Sequence, residues 1–324
     1  MTSSELILVT GATGRHGNTG EYLVRRLLEE GRAVRVLART LGERTDQLAG
    51  LGADVVVGDL QDRRSLLPAL ADVDDVYFTY PIAAGVVTAA ANYAAAVREV
   101  GRNPRTVVMS MGPAQADHPS ALGRAQWLAE QVMDWAGLQT LILRVTALFH
   151  ENLLVLHSRS VRQHQVIRNS FGSTPMAWIS GRDAAELGVA ALLHPERFSS
   201  SIMYPAGSEQ FSHAEIAAQL SDLLGSSVRF EAVTGDQWRD ELISLAGMEG
   251  ETVINPAMAQ HISSIGHAVA HGAPHRAADA EALRALIGRE PLGLRDFLQA
   301  HRSDFEPDVD SARNGSRSES PVAG

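Results

Sequence analysis

A short apolar run, a glycine-rich turn and an amphipathic helix follow one another at the start of the chain. That order constrains the fold more than any other feature. Residues 6–10 read as a buried strand, and Gly11-Ala12-Thr13-Gly14-Arg15-His16-Gly17 follows at once. Residues 19–30 then carry Tyr22, Leu23, Leu27 and Leu28 at helical spacing. Gly11 allows a tight turn and Gly14 lets backbone approach a pyrophosphate. Gly17 lets the helix pack closely, with its first N–H groups aimed at the phosphates. Further apolar runs at 34–38, 54–57, 75–79, 105–110 and 138–144 alternate with helical segments at 86–100 and 121–135. Strands that are apolar throughout and separated by helices form a parallel sheet covered on both faces. The expected fold is α/β, a Rossmann-type doubly wound parallel sheet that binds a dinucleotide through the glycine loop.

Beyond Arg144 the rhythm changes. Helices are expected at 147–156, 181–193, 212–224, 236–246, 255–272, 277–287 and 294–300, with short strands at 177–180 and 200–205. This divides the chain into a dinucleotide-binding domain, 1–146, and a smaller, mixed, helix-rich substrate lobe, 147–302, woven back onto it. Residues 303–324 are Ser, Asp, Gly, Arg and Pro with almost no bulky apolar side chains, and a disordered tail is expected there.

Two zeros in the composition exclude whole classes of chemistry. All 28 basic residues counted as Lys+Arg are arginine, and there is no cysteine. A lysine Schiff base, a P-loop, thiol catalysis, disulfides and cysteine-built metal centres are therefore impossible. Against 38 acidic residues the formal charge is −10, which speaks against nucleic acid or an anionic membrane as partner. The first residues lack the basic flank of a signal peptide, and no run of about 18 apolar residues occurs. A cytoplasmic monomer or homodimer acting on a small molecule is expected.

Cofactor choice is read at the end of the second strand, where an acidic side chain would bind a ribose 2′-hydroxyl. Here Arg35-Val36-Leu37-Ala38-Arg39 ends in arginine, and Arg39, joined by Arg15, suits the 2′-phosphate of NADP. Asp59 and Leu60, after the third strand, are placed to meet the adenine. These stretches, with Leu143-Arg144-Val145-Thr146-Ala147-Leu148-Phe149-His150-Glu151-Asn152 and Trp178-Ile179-Ser180-Gly181-Arg182-Asp183, resemble the NmrA-like branch of the atypical short-chain dehydrogenases/reductases. The resemblance covers nearly the whole chain to about Arg302. It implies cofactor binding. The family holds NAD(P)H-dependent reductases of quinones, imines and activated double bonds, and also regulators that bind the dinucleotide without turning it over. Some relatives carry a lysine or a Tyr–Lys pair on the helix after the fifth strand. Here Ala121-Leu122-Gly123-Arg124-Ala125-Gln126-Trp127-Leu128-Ala129-Glu130 has neither.

Ligands in such sheets sit outside the carboxyl ends of the strands. Tyr80 and Pro81 are expected against the cofactor's ribose and nicotinamide. Ser110 matches the family's serine at the fifth strand end. His150 stands where the related motif has an apolar residue, and a histidine facing the cleft would work near neutral pH. The catalytic candidates are thus His150, Tyr80 and Ser110. Cofactor contacts are assigned to Gly11, Thr13, Gly14, Arg15, His16, Gly17, Arg39, Asp59, Leu60, Tyr80 and Pro81. Met111, His118, Phe149, Asn152 and Trp178 are the substrate-lining candidates. The four tryptophans are expected mainly in the core. His267, His271 and His275 have ligand-like spacing, but Gly272 and Pro274 interrupt their helix, and no metal is expected. The leading expectation is an NADPH-dependent reductase of a small electron-poor substrate, in specialised metabolism. The alternatives are a non-catalytic NAD(P) sensor and a redox-neutral cyclase or isomerase using His150.

Overall fold

The structure, a computed structural model, describes residues 5–14, 19–251 and 253–307. Its strands are β1 (Leu6–Thr10), β2 (Ala33–Ala38), β3 (Asp54–Val57), β4 (Asp75–Phe78), β5 (Arg105–Met111), β6 (Thr140–Val145), β7 (Leu148–Phe149), β8 (Val166–Asn169), β9 (Met176–Ile179), β10 (Ile202–Met203), β11 (Glu209–Phe211) and β12 (Arg229–Ala232). Its α-helices are α1 (Thr19–Glu29), α2 (Glu43–Gly50), α3 (Arg63–Leu66), α4 (Val86–Val100), α5 (Ala121–Trp135), α6 (Glu151–His164), α7 (Gly181–Leu193), α8 (His213–Leu224), α9 (Gly235–Ala246), α10 (Pro256–Ala270), α11 (Ala280–Ile287) and α12 (Leu294–Ala300). No described helix is long and apolar enough to cross a membrane.

Seven strands form one parallel sheet in the order β10-β6-β5-β4-β1-β2-β3, so the winding reverses between β1 and β4. Strand residues alternate between two cores, as the period of two demands. Tyr77 points into a core with α1, α7 and α11. Its neighbours Val76 and Phe78 point into the opposite core, with α4 and α5. A third core, holding Leu153, Phe171, Trp178, Trp238 and Phe297, belongs to the second half of the chain.

Several expectations needed correction. The helix expected from residue 147 begins with a strand instead, because Leu148 and Phe149 pair in register with Trp178 and Ile179. The helix starts only at Glu151 and runs on to His164. The strand expected over 200–205 shortens to Ile202–Met203 and joins the main sheet beside β6. Packing also continues past Arg302: Phe305 is 0% exposed within the third core. A single aromatic side chain is enough to hold a polar segment down, so the expected disorder does not begin at 303. The remainder of that tail, from 308, lies outside the described residues. Trp135, at the end of α5, is 69% exposed and not core.

Three histidines beyond β6 are at most 2% exposed. His150, His157 and His213 are all buried. Desolvation alone holds His150 and His157 down at about 3, and desolvation with the His157 charge holds His213 well below the usual range. An unfolded imidazole titrates near ~6.5. Between those values the unfolded chain binds more protons, so stability falls as pH drops from about 6.5 towards 3. Glu151, raised to about 7 chiefly by burial, contributes in the opposite direction, but it is one group against three. Melting temperature is expected to fall steadily on acidification below pH ~6.5. His157→Phe, which keeps the stacking on Trp238, is expected to flatten that fall in the same thermal titration.

Candidate functional site

The crevice at the carboxyl ends of β1 and β4 is fixed by one side chain. The Thr10 hydroxyl donates to the Thr79 carbonyl at 2.9 Å and accepts from the Thr79 N–H at 2.9 Å. This ties the two strands together where the winding reverses. Gly11 follows with φ +71°, and a Cβ there would stand 2.5 Å from the Thr79 methyl. Only glycine accommodates both the left-handed backbone and the contact. The Gly14 N–H closes the turn on the Gly11 carbonyl at 3.0 Å. The close helix packing expected at Gly17 is carried, among the described residues, by Gly20. A Cβ on Gly20 would meet Ala12 Cα and the Gly11 carbonyl, each at 2.6 Å. Arg15, His16 and Gly17 themselves lie outside the described residues.

Arg44 is a contact the sequence reading missed. Its guanidinium donates to the carbonyls of Thr13 (3.0 Å) and Gly14 (3.2 Å), bracing the loop from α2. The only signal is a second arginine shortly after Arg39, on a helix whose sole large buried apolar side chain is Leu48. Arg39 is exposed at the end of β2. Burial, then the Asp59 charge, raise the Tyr80 hydroxyl's pKa, while Arg39 and the Gln61 bond lower it. Arg39, Asp59 and Tyr80 follow β2, β3 and β4 of the one sheet. Asp59 accepts from the Gln61 N–H at 2.9 Å, and the carbonyl of buried Leu60 accepts from Asn92 at 2.9 Å. Pro81 is exposed beside them.

Three side chains meet at the ends of β5 and β6. Ser110 and Arg144 are register partners, and Glu130 descends on them from α5. The Ser110 hydroxyl donates to Glu130 Oε1 in a short bond. Arg144 donates to Glu130 Oε2 from Nε (3.0 Å) and Nη2 (2.5 Å), and to the Tyr204 hydroxyl from Nη1 (2.7 Å). The Glu130 side chain is 1% exposed, so this is a buried ion pair in which two guanidinium donors share one carboxylate oxygen and Ser110 takes the other. Glu130 was legible only as a carboxylate on the apolar stripe of Leu122, Gln126, Ala129 and Met133.

The catalytic candidates are placed differently from expectation. Ser110 has its proton committed to a carboxylate, so it is not a free donor. The Tyr80 hydroxyl accepts from Gln61 (3.0 Å) and donates to the Ala84 carbonyl (3.2 Å), so its proton is committed too. His150 is 0% exposed, its ring 5.2 Å from that of Phe297, and neither ring nitrogen has a partner among the described residues. It is a neutral side chain inside the lobe junction, because its N–H extends the β7 pairing to the Ile179 carbonyl. The His118 ring accepts from the Ser120 N–H at 3.0 Å, at the start of α5. Trp178 is core, with its indole N–H on the Phe211 carbonyl at 3.0 Å, and does not line a cleft. Met111 and Phe149 are half-buried at the ends of β5 and β7. Asn152 is buried in the first turn of α6, its side-chain oxygen without a partner among the described residues. Among the described residues no cluster of three or more His, Cys, Asp or Glu has metal-holding geometry.

Arg144→Leu would leave the Glu130 carboxylate buried without its counter-charge. A loss of about 3 kcal/mol is expected from urea denaturation, partly recovered when Glu130→Gln is added.

One family model, described as the NmrA-like family, matches residues 3–266. The NAD(P)H azoreductase of Xenophilus azovorans is 28% identical over 304 residues, covering 93% of this chain and 99% of that one. The (4-alkanoyl-5-oxo-2,5-dihydrofuran-3-yl)methyl phosphate reductase of Streptomyces griseus is 30% identical over 313 residues, covering 94% and 100%. Among solved structures, an NADPH-dependent quinone oxidoreductase from Escherichia coli complexed with NADPH superposes with a TM-score of 0.75. It is 20% identical, with 92% and 99% of the two chains covered, and so speaks for the fold. With the family model matched across both the glycine loop and the lobe that closes over the sheet, the chain belongs to the NmrA-like family.

Proposed function

We propose that this chain is an NADPH-dependent reductase of a small, electron-poor organic acceptor such as a quinone, an azo or imine compound, or an activated double bond. The observation that carries the reading is the bare glycine cradle at the reversal of the winding, with Arg39 at its open side. The cradle fits a dinucleotide: Gly11 holds the left-handed turn that opens it, and Gly14 presents backbone alone. The glycine loop would hold the pyrophosphate, and the guanidinium of Arg39 the 2′-phosphate that distinguishes NADPH from NADH. Asp59 and Leu60 would flank the adenine, and Pro81 and Met111 the opposite end. When bound, NADPH supplies a hydride.

The side chains at the strand ends support this acceptor class. Ser110 and Tyr80 have committed protons and His150 is sealed, so none is a ready acid. The alkoxide that hydride addition makes from a ketone would need such an acid. A quinone or conjugated alkene is already electrophilic and can draw its proton from water, and an iminium needs none after hydride transfer, so that orientation supplies most of the rate. Two relatives named as reductases at 28% and 30% identity favour the same class.

NADPH absorbance is expected to fall when the purified chain meets a panel of quinones, azo dyes and enones. Tight NADPH binding without consumption across that panel would overturn the reductase in favour of a sensor. Arg39→Ala is expected to raise KM for NADPH by about tenfold and to leave NADH kinetics unchanged. His150→Met is expected to leave the pH profile of kcat unchanged, which no cyclase or isomerase relying on that imidazole would do.

A further inference from the structure

A cavity of about 290 Å³ opens at the far edge of the main sheet, between the segment after β10 and the start of α11. It shares no lining residue with the glycine loop or with the ends of β1, β4 and β5. We propose that it is a second binding site, taking a small aryl carboxylate or a similar aromatic anion. Its size lies just below the usual range for small-molecule sites.

Three features define the ligand. The floor is apolar, built by Met203, Pro205, Leu283 and Leu286. One wall is the ring of Tyr204, which is 38% exposed yet held in place from behind. Its hydroxyl accepts from Arg144, and Arg144 is locked on buried Glu130. An aromatic wall fixed before the ligand arrives loses little freedom on binding. The third feature is charge. The Arg276 guanidinium lies over the Tyr204 ring, 4.7 Å from its centroid. Among the described residues it has no hydrogen bond and no ion pair. Toward the described residues its five N–H donors are uncommitted, and the ring beneath limits its rotamers.

The carboxylate that lines the same cavity, Asp279, is engaged elsewhere. It caps α11, accepting from the Ala282 N–H at 2.9 Å, while its own N–H donates to the Gly207 carbonyl at 2.8 Å. The cap bond engages one carboxylate oxygen and leaves the charge in the lining, so what the cavity offers an anion is the set of Arg276 N–H donors. An apolar floor, an aromatic wall and one free guanidinium select an aromatic body bearing one anionic group.

Binding can be measured without cofactor, so the outcome is separate from the reductase reading. Calorimetric titration would compare naphthoate with its neutral amide and with naphthylmethylamine. Naphthoate is expected to bind at least about tenfold more tightly than either. Arg276→Met, an exposed change that keeps the apolar stem, is expected to abolish that preference while leaving amide binding and the melting temperature unchanged. Ala282→Trp, which fills the cavity from an exposed helix position, is expected to abolish binding of all three. Equal affinity for anion and amide, preference for the amine, or naphthoate binding unaffected by either substitution would overturn the proposal.

Discussion

A parallel sheet has to be covered on both faces, because its strands are apolar throughout. In this chain the first half supplies only part of that cover. Helices α4 and α5 close one face, but the other is completed by α7 and α11, which arrive after the sequence has changed rhythm. The joint is polar as well as apolar. Glu186 on α7 accepts from the Tyr22 hydroxyl at 2.6 Å and from Arg26 at 3.1 Å, both on α1. Asp183, fully buried, accepts from Ser180 and from the Leu292 N–H and pairs with Arg289 at 2.7 Å. Carboxylates buried in this way persist only because each finds several partners. The helix that Glu186 holds, α1, begins just after the glycine loop. The proposed cofactor cradle is therefore braced from behind by the second half of the chain.

The same arrangement explains what could be read from the sequence. The first six strands were legible because each is a mostly apolar, β-branched-rich run bounded by turn residues, which composition reveals locally. The two-stranded sheet of β8 and β12 was not, since half of each strand is polar and the partners are about sixty positions apart. Strand β10 is only two residues long. A strand was expected there, over 200–205, but its bounds and its place beside β6 come from pairing with Ile142 and Leu143. A boundary near residue 146 is thus a boundary in rhythm, whereas in space the later segment completes the earlier sheet.

At the site, the legible residues were those whose backbone geometry demands a particular type. Gly11 is such a residue, since its positive φ and the Thr79 methyl leave no alternative. Glu130 and Arg44 owe their importance to partners distant in sequence, and only the fold brings those partners near. His150 was misplaced for a related reason. Its position after a strand end suggests a crevice, but the unforeseen pairing of β7 with β9 directs its ring inward against Phe297.

The absence of lysine then acquires a structural meaning. The cation at the ends of β5 and β6 is a guanidinium, which keeps its proton at every accessible pH. Arg144 can orient Glu130, and through it Ser110, but its guanidinium does not pass a proton onward. A lysine ammonium in the same place would be a compact, titratable group, and a tyrosine beside it could serve as an acid. With arginine, the charge is permanent and its geometry planar, so the strand ends are stiff and proton-poor. On the reductase reading, a second hydrogen, where the acceptor needs one, must then come from water, and the acceptor atom that receives it must face the open side of the crevice. The chemistry that suits such a site is one in which holding the acceptor still matters more than donating to it.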